Sequence, residues 1–226
     1  FEKKSRYVIP GNVSSQFISG LLMALPLADW DSEIVIDGPL QSEAYVRLTE
    51  DTLRESGIEV GAECLTPRAN SGLRWKIAGG QKYNFKGGRE VEGDWSQAAF
   101  FLAMGVEVKG LRADSHQGDK AVVELLAAID GTLSRGGDIP VVAILDVAQT
   151  PDLYPCLAAY AAARGREVTF TGTERLRLKE SDRIASTAAL IESVKSGKPV
   201  NTFGDHRIAM SAAVMACYSK IPVTVE

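Results

Sequence analysis

Residues 176–184, with the sequence LRLKESDRI, concentrate charge in a way that could hold an anion and move a proton. Lys179, Glu180, Asp182 and Arg183 are four charges within five residues. If a helix begins at Glu180, the i, i+4 spacing places Lys179 and Arg183 on one face, with Glu180 beside them. Two cations could then clamp a phosphate while the carboxylate exchanges a proton. A solvated helix start with an acidic first turn fits the same charges.

A second candidate site is the segment 203–210, FGDHRIAM, at the predicted start of an apolar helix. The free amides of a helix N-terminus and the guanidinium of Arg207 together favour an anion, and His206 could shuttle a proton. A plain N-cap at Asp205, followed by two exposed side chains, fits the sequence as well.

Two further segments carry candidate residues. In residues 11–17, GNVSSQF, a glycine-led turn enters a helix, so that Ser14, Ser15 and the free helix amides could cradle a phosphate. Helix capping by Asn12 or Ser14 explains this segment equally well. Asp146 ends residues 143–146, which are typical of a buried strand, and a strand end is a common place for a general base; a carboxylate that solvates a loop or caps a helix also fits.

Helical and strand-like patterns alternate around these segments. Apolar residues at three- and four-residue spacing predict a helix over residues 14–25. Residues 33–38 are typical of a strand, and residues 43–56 of an amphipathic helix that Gly57 ends. Further helices are predicted over residues 95–104, 119–129, 152–163, 180–196 and 205–218.

A weak internal repeat links the predicted strands at residues 33–38, 106–111 and 167–172, each of which leads through a polar loop into a helix. The unequal spacing favours a globular fold of duplicated βα units over an extended array. The glycine-rich, charged residues 87–94 follow a strand-like segment at residues 83–85, and we expect a domain boundary there.

Composition narrows the function classes. The chain has 226 residues, 45% of them hydrophobic and 24% charged, as expected for a soluble globular protein of one or two domains. A net charge of −4 argues against nucleic-acid binding, and no apolar run approaches the roughly 18 residues that span a bilayer. The N-terminus lacks a secretory pattern. Cys64, Cys156, Cys217 and the two histidines lack metal-site spacing, so we expect reduced thiols in a cytoplasmic protein.

Seven motifs occur in one order along the chain, at residues 11–17 (GNVSSQF), 42–45 (SEAY), 92–94 (EGD), 117–119 (QGD), 146–152 (DVAQTPD), 176–183 (LRLKESDR) and 205–210 (DHRIAM). In this order they resemble the EPSP synthase (3-phosphoshikimate 1-carboxyvinyltransferase) family. Its members belong to the shikimate pathway of aromatic amino-acid biosynthesis, in which they transfer an enolpyruvyl group from phosphoenolpyruvate to shikimate 3-phosphate.

The resemblance implies an α/β (α+β) chain with part of a two-domain enolpyruvyl transferase-like fold, built from repeated βαβαββ units. Residues 1–90 would belong to the first domain, which binds the phosphate of shikimate 3-phosphate. Residues 91–226 would belong to the second domain, which carries the acid and base and binds phosphoenolpyruvate.

The resemblance also implies the site residues. Those for shikimate 3-phosphate would be Ser14, Ser15, Gln16, Ser42, Tyr45, Asp146 and Lys179, and those for phosphoenolpyruvate Gln16, Arg183 and Arg207. Asp146 would take the proton from the attacking 5-hydroxyl, and Glu180 would exchange a proton with the methylene carbon. Lys179 and His206 would complete the catalytic set. The resemblance implies no metal or organic cofactor, no nucleic acid, no membrane, and a monomer.

The chain also departs from the family pattern. The family's N-terminal Lys-Ser and Asn-Gly-Thr-x-x-Arg motifs and its terminal Lys-containing motif are absent, and Ala44 stands where a proline is usual. We therefore expect this chain alone to have little or no catalytic activity. Two alternatives are a non-catalytic fragment that binds shikimate 3-phosphate, and the related UDP-N-acetylglucosamine enolpyruvyl transferase. Against the second, none of the three cysteines lies in that enzyme's cysteine loop.

Overall fold

The computed structural model describes residues 5–64, 73–85, 87–88, 90–131 and 142–226. The chain divides into two compact units. Unit 1 comprises Phe1–Val91 and His116–Gly118, and unit 2 comprises Glu92–Ser115 and Asp119–Glu226. The binding roles that the resemblance gives to residues 1–90 and 91–226 stay predictions.

Unit 1 is a βαβαββ unit, as expected for the enolpyruvyl transferase-like fold. Its elements are β1 (Arg6–Pro10), α1 (Ser15–Ala24), β2 (Ser32–Asp37), α2 (Glu43–Glu55), β3 (Gly61–Cys64) and β4 (Leu73–Ile77). The sheet order is β1-β2-β4-β3; β1 and β2 are parallel, and β4 runs antiparallel to both of its neighbours. Both helices therefore leave from the same edge of the sheet, where β1 and β2 end.

The hydrophobic pattern explains why these segments fold as they do. The fully buried Ile18 and Leu22 mark the inner face of α1, and Ile34 and Ile36 alternate inward along β2. Burying each such side chain contributes about 1.5–3 kcal/mol. Gly57, with a φ of +77°, follows the end of α2 as expected, since glycine adopts this left-handed conformation without a steric cost.

Unit 2 contains more helix than strand. Its helices and strands are α3 (Trp95–Ala103), α4 (Val122–Gly131), β5 (Ala143–Asp146), α5 (Tyr154–Ala163), β6 (Val168–Thr171), α6 (Arg183–Ser196) and α7 (His206–Tyr218). Two short 3-10 turns lead directly into helices: Gly118–Ala121 into α4 and Pro151–Leu153 into α5. A third, Glu174–Leu178, lies between β6 and α6. β5 and β6 form a parallel two-stranded sheet, and Val200 and Val225 form an isolated bridge.

Helix α5 lies in the core of unit 2, because seven of its ten residues are buried. Its alanines allow close packing against α7. Cys156, on α5, is buried with its Sγ 3.5 Å from the Ala99 carbonyl oxygen, and burial raises the pKa of this thiol to about 12. Cys156 and Cys217 are free thiols; the side chain of Cys64 lies outside the described part of the structure.

Two strand predictions are wrong. Residues 106–111 are irregular apart from a turn at residues 109–110; Gly105 and Gly110 have φ values of +77° and +82°, and the Gly110 carbonyl accepts a hydrogen bond from the Gly93 amide. Residues 83–85 are also not a strand; the Tyr83 hydroxyl donates to the Met23 carbonyl at 2.7 Å instead. An alternating pattern forms a strand only where another strand supplies hydrogen bonds.

Among the helices of the described ranges, none has both the length and the apolar character that crossing a bilayer requires.

Candidate functional site

The loops that follow β1 and β2 contact each other at one edge of the unit 1 sheet. Pro10 lies opposite Asp37 at the ends of these parallel strands. The Gly11 amide donates to the Asp37 carbonyl at 2.8 Å, and the Gln41 amide donates to the Gly11 carbonyl at 3.0 Å. A Cβ on Gly11 would lie 2.6 Å from the Pro39 carbonyl oxygen, so the loops approach this closely only because residue 11 is glycine.

The residues predicted for shikimate 3-phosphate in unit 1 lie at the N-termini of α1 and α2. Ser14 caps α1, its Oγ accepting from the Gln16 amide at 3.2 Å, and Asn12 is not the cap. Ser15 is buried and Gln16 is exposed. Ser42 precedes α2 with a φ of +55°, and Tyr45 lies in the first turn of α2.

The conformation of Ser42 is unusual for a residue other than glycine. Left-handed backbone costs such a residue about 1–2 kcal/mol, and it persists where the surroundings impose it. Ser42 is also buried. Two helix N-termini at one sheet edge, each preceded by a serine, supply amide and hydroxyl donors of the kind that bind phosphate.

Three cations of unit 2 meet at one carboxylate, Asp152. Its Oδ1 lies 2.6 Å from Nη1 of Arg183 and 3.2 Å from Nζ of Lys179. Its Oδ2 lies 3.4 Å from Nη2 of Arg207. Three of the predicted substrate-binding residues, from two separate motifs of the chain, are thus brought together.

Arg183 is the most enclosed of these cations, with 1% of its side chain exposed. Besides Asp152, its Nε donates to Asp205 at 2.9 Å and its Nη2 to Glu180 at 2.5 Å, so its three nitrogens reach three carboxylates. Burial alone would lower the pKa of Arg183, but the hydrogen bond to Asp205 and the neighbouring negative charges raise it above its usual value. The guanidinium is therefore held permanently charged.

Asp205 is fully buried and fixes the start of α7. Its carboxylate accepts from Nε of Arg183, from the Arg207 amide at 2.9 Å and from the Ser181 hydroxyl at 3.0 Å. Burial opposes the charged form, but these hydrogen bonds and the charge of Arg183 lower the pKa of Asp205. Asp205 is thus an N-cap, as one alternative predicted, and His206 is exposed. That alternative is wrong for Arg207, which is buried.

Arg207 reaches two partners that the sequence analysis missed. Its Nη2 donates to the Ser96 hydroxyl at 3.2 Å, and its Nη1 lies 3.4 Å from the Asp152 carbonyl oxygen. Ser96 lies in the first turn of α3, just after Asp94 of the EGD motif, which caps that helix. One feature of the sequence could have indicated the contact with Ser96. A buried arginine requires hydrogen-bond acceptors, and polar residues next to the other motifs are candidates for that role.

The predicted start of α6 is wrong. The helix begins at Arg183, not Glu180, because Asp182 caps it and accepts from the Ile184 and Ala185 amides at 3.1 and 3.2 Å. Lys179 and Glu180 precede the helix, so Lys179 and Arg183 do not share a helix face. They meet at Asp152 instead.

Asp146 ends β5 as predicted, and its side chain is exposed. Its Oδ1 accepts from the Ala148 amide at 2.9 Å, which folds the loop that follows the strand. In the part of the chain that the structure describes, no hydrogen bond joins Asp146 to Lys179, Glu180 or Arg183. The structure therefore does not bring the predicted base into direct contact with the cation cluster.

No group of three or more His, Cys, Asp or Glu side chains suited to a metal ion is found among the described residues.

Comparison with known proteins agrees with the motif order. A model of the family "EPSP synthase (3-phosphoshikimate 1-carboxyvinyltransferase)" matches residues 2–194. The 3-phosphoshikimate 1-carboxyvinyltransferases of Clostridium perfringens (strain SM101) and Brachyspira hyodysenteriae are each 35% identical, over 259 and 256 residues. Each match covers 99% of this chain, but only 58% and 59% of those relatives, so the chain spans somewhat more than half of their length.

Solved structures of similar fold include two of EPSP synthase from Acinetobacter baumannii. Each has a TM-score of 0.66 and is matched over 99% of this chain and 58% of its own, at 23% and 21% identity. This likeness concerns the fold. Together with the match to the family over most of its length, it leads to one conclusion: the chain belongs to the EPSP synthase family.

Proposed function

We propose that this chain is the part of a 3-phosphoshikimate 1-carboxyvinyltransferase that contributes the two loops of unit 1 and the charged cluster of unit 2. The reaction transfers the enolpyruvyl group of phosphoenolpyruvate to the 5-hydroxyl of shikimate 3-phosphate and releases phosphate. The observation that carries the proposal is the gathering of Lys179, Arg183 and Arg207 at Asp152, in a chain of this family.

Shikimate 3-phosphate is proposed to bind at the N-termini of α1 and α2. The hydroxyls of Ser14, Ser15 and Ser42 and the free amides of both helices would donate to its phosphate. Gln16 and Tyr45 would contact the rest of the ligand. Gln16 directly follows Ser15, and Tyr45 lies three residues after Ser42. Asp146 and Lys179 are the residues proposed to bind it from unit 2.

Phosphoenolpyruvate is proposed to bind to Arg183 and Arg207, with Gln16 as a further contact. Planar guanidinium groups suit its carboxylate and phosphate. Since Arg183 is enclosed by three carboxylates, with 1% of its side chain exposed, the substrate has to replace one of these partners to reach it. Glu180 is the best candidate, because 51% of its side chain is exposed and Arg183 is the cation it pairs with.

The proposed chemistry uses two carboxylates. Asp146 takes the proton of the 5-hydroxyl while the hydroxyl oxygen bonds to C2 of phosphoenolpyruvate, and the methylene carbon gains a proton from Glu180. Phosphate then leaves, the new methyl group returns a proton to Glu180, and the double bond forms again. Positive charge that develops at C2 would be stabilised by a fixed carboxylate. Lys179 and the exposed His206 complete the proposed catalytic set.

We propose that the isolated chain binds substrate but has little or no catalytic turnover. We also propose that it is a monomer and that the protein is cytoplasmic. The test is calorimetric titration of the chain with shikimate 3-phosphate, with UDP-N-acetylglucosamine as the control ligand. We expect saturable binding of shikimate 3-phosphate and none of UDP-N-acetylglucosamine. Ser42→Ala should weaken this binding about tenfold or more, because it removes one hydrogen bond to a charged group. Binding of UDP-N-acetylglucosamine instead, or binding that Ser42→Ala leaves unchanged, would overturn the proposal. A second titration with phosphoenolpyruvate tests the residues of unit 2.

A further inference from the structure

Asp152 links three segments of unit 2 through one side chain. Asp152 lies in the turn Pro151–Leu153. It contacts Lys179, which precedes α6, and Arg183, the first residue of α6. It also contacts Arg207, in the first turn of α7. Among the residues that the structure describes, it is the carboxylate that all three cations share. Neither the motif interpretation nor the proposed mechanism gives it a role.

We propose that Asp152 is a positioning residue, which holds Lys179, Arg183 and Arg207 at the spacing that an anionic substrate requires. This inference rests on the proposed function, because it assigns Asp152 to the phosphoenolpyruvate site. Asp152 acts through the three cations and is not itself a reacting group.

The other carboxylates of the cluster cannot replace Asp152. Asp205 engages the Nε of Arg183, the Arg207 amide and the Ser181 hydroxyl, and it does not contact the Arg207 guanidinium. Glu180 contacts Arg183. Without Asp152, Lys179 would lose its ion pair and Arg207 would lose its carboxylate. Asp205 and Glu180 would still pair with Arg183, but no shared carboxylate would offset the repulsion among the three cations.

The charge state of Asp152 supports this role. Burial opposes ionisation, but the charges of Arg207, Lys179 and Arg183 hold the pKa of Asp152 below its usual value. The carboxylate is therefore ionised at neutral pH. In addition, the Asp152 carbonyl oxygen lies 3.4 Å from Nη1 of Arg207, a contact that survives replacement of the side chain.

A carboxylate beside an anion site has two opposing effects. It aligns the cations, which favours anion binding, and it repels the anion, which disfavours binding. Removing Asp152 would weaken the binding of phosphoenolpyruvate if alignment dominates, and would tighten it if repulsion dominates. The sign of the change therefore distinguishes a positioning residue from a carboxylate that merely competes with the substrate.

The experiment compares Asp152→Asn with a variant that changes the charge of unit 2 by the same amount. Asp114→Asn removes an exposed carboxylate that pairs with Arg112, outside the proposed site. Calorimetric titration with phosphoenolpyruvate is expected to show binding about tenfold or more weaker for Asp152→Asn, the loss of a charged contact, and no weakening for Asp114→Asn. Equal or tighter binding by Asp152→Asn overturns the proposal.

A second variant covers the possibility that Asp152→Asn does not fold, which its thermal melting curve would reveal. Asp152→Glu keeps the charge but moves the carboxylate by about one carbon–carbon bond, roughly 1.5 Å. We expect it to weaken phosphoenolpyruvate binding as well, because the position of the carboxylate matters. Undiminished binding by Asp152→Glu would contradict the positioning role.

A readout that needs no ligand separates this inference from the proposed function. Nuclear magnetic resonance of the guanidinium N–H groups measures how fast they exchange with solvent. In Asp152→Asn, or in Asp152→Glu if only that variant folds, the Arg207 guanidinium should exchange about tenfold faster than in the unaltered chain. Arg183, still held by Asp205 and Glu180, should change less. If the unaltered chain binds no phosphoenolpyruvate, the proposed site fails, and unchanged exchange at Arg207 would reject the positioning role separately.

Discussion

Gly172 lies directly against the carboxylate of Asp146. A Cβ on Gly172 would overlap Oδ1 of Asp146 and would come within 2.6 Å of the Ala148 amide nitrogen and Cβ. Gly172 follows β6 with a φ of +69°, and the Val147 amide donates to the Thr171 carbonyl at 3.0 Å. The ends of β5 and β6 therefore pack so closely that only glycine at position 172 leaves room for the proposed base.

Gly172→Ala is therefore expected to destabilise unit 2 and to displace Asp146. Left-handed backbone adds about 1–2 kcal/mol, and overpacking adds about 1–3 kcal/mol. Gly165→Ala is the matched control, since Gly165 has a φ of +64° but open space where the Cβ would lie. Urea denaturation should show a larger loss of unfolding free energy for Gly172→Ala. Equal losses would mean that the contact with Asp146 is unimportant for stability.

The buried pair of Arg183 and Asp205 predicts a large effect on stability. Asp205→Ala would leave the Arg183 guanidinium buried without its Nε partner, and removing one member of a buried ion pair typically costs about 3–5 kcal/mol. Denaturant unfolding measures the change. Asp114→Ala, which breaks the exposed pair with Arg112, should have little effect because solvent screens that interaction. A similarly small effect of Asp205→Ala would show that water or another group compensates Arg183.

The lowered pKa of Asp152 predicts how its contribution depends on pH. A carboxyl group whose pKa is lower in the folded than in the unfolded chain stabilises the fold fully above its usual value of 3.8, and this contribution is lost as pH falls through the folded pKa. The unaltered chain should therefore exceed Asp152→Asn in unfolding free energy by a constant amount from pH 7 to about pH 5.

Below about pH 4 this difference should shrink. Denaturant titrations of both proteins across this range measure it. A difference that grows on acidification would contradict the direction of the pKa shift.

The close approach of the two loops in unit 1 predicts an effect on ligand binding. Gly11→Ala would place a Cβ 2.6 Å from the Pro39 carbonyl oxygen and 2.7 Å from Cγ2 of Ile36, which would force the loops apart. We expect Gly11→Ala to weaken shikimate 3-phosphate binding about tenfold or more. This change corresponds to the loss of about one charge-assisted hydrogen bond.

Gly20→Ala is the control for this prediction, because Gly20 lies within α1 with open space around its Cβ position. It should leave binding unchanged and stabilise the helix by about 0.5–1 kcal/mol. Calorimetric titration measures binding, and thermal melting measures stability. Normal binding by Gly11→Ala would show that the loop contact does not shape the proposed phosphate site.

Local patterns were sufficient to predict most helices. The predicted helices at residues 14–25 and 43–56 correspond to α1, Ser15–Ala24, and α2, Glu43–Glu55. Such patterns succeed because apolar spacing, capping residues and a following glycine all act within a few positions of the chain. They were less reliable for α6, which was predicted to begin at Glu180 but begins at Arg183, because Asp182 caps it through hydrogen bonds from the Ile184 and Ala185 amides.

The strand prediction at residues 106–111 failed for a different reason. Alternating residues such as Val106 and Val108 satisfy the strand pattern only if another strand supplies hydrogen bonds, and that depends on distant parts of the chain. By contrast, β5 and β6 pair with each other, so the predictions for residues 143–146 and 167–172 found strands there.

The sequence by itself determined the family, through seven motifs in order, and it identified Lys179, Arg183 and Arg207 as candidate anion-binding residues. Only the tertiary structure decided which groups surround them. Arg183 meets Asp205, 22 positions away, and Arg207 meets Ser96, 111 positions away. No local spacing encodes such pairs, because they depend on how helices and turns pack. The central place of Asp152 among the three cations is therefore a property of the folded chain.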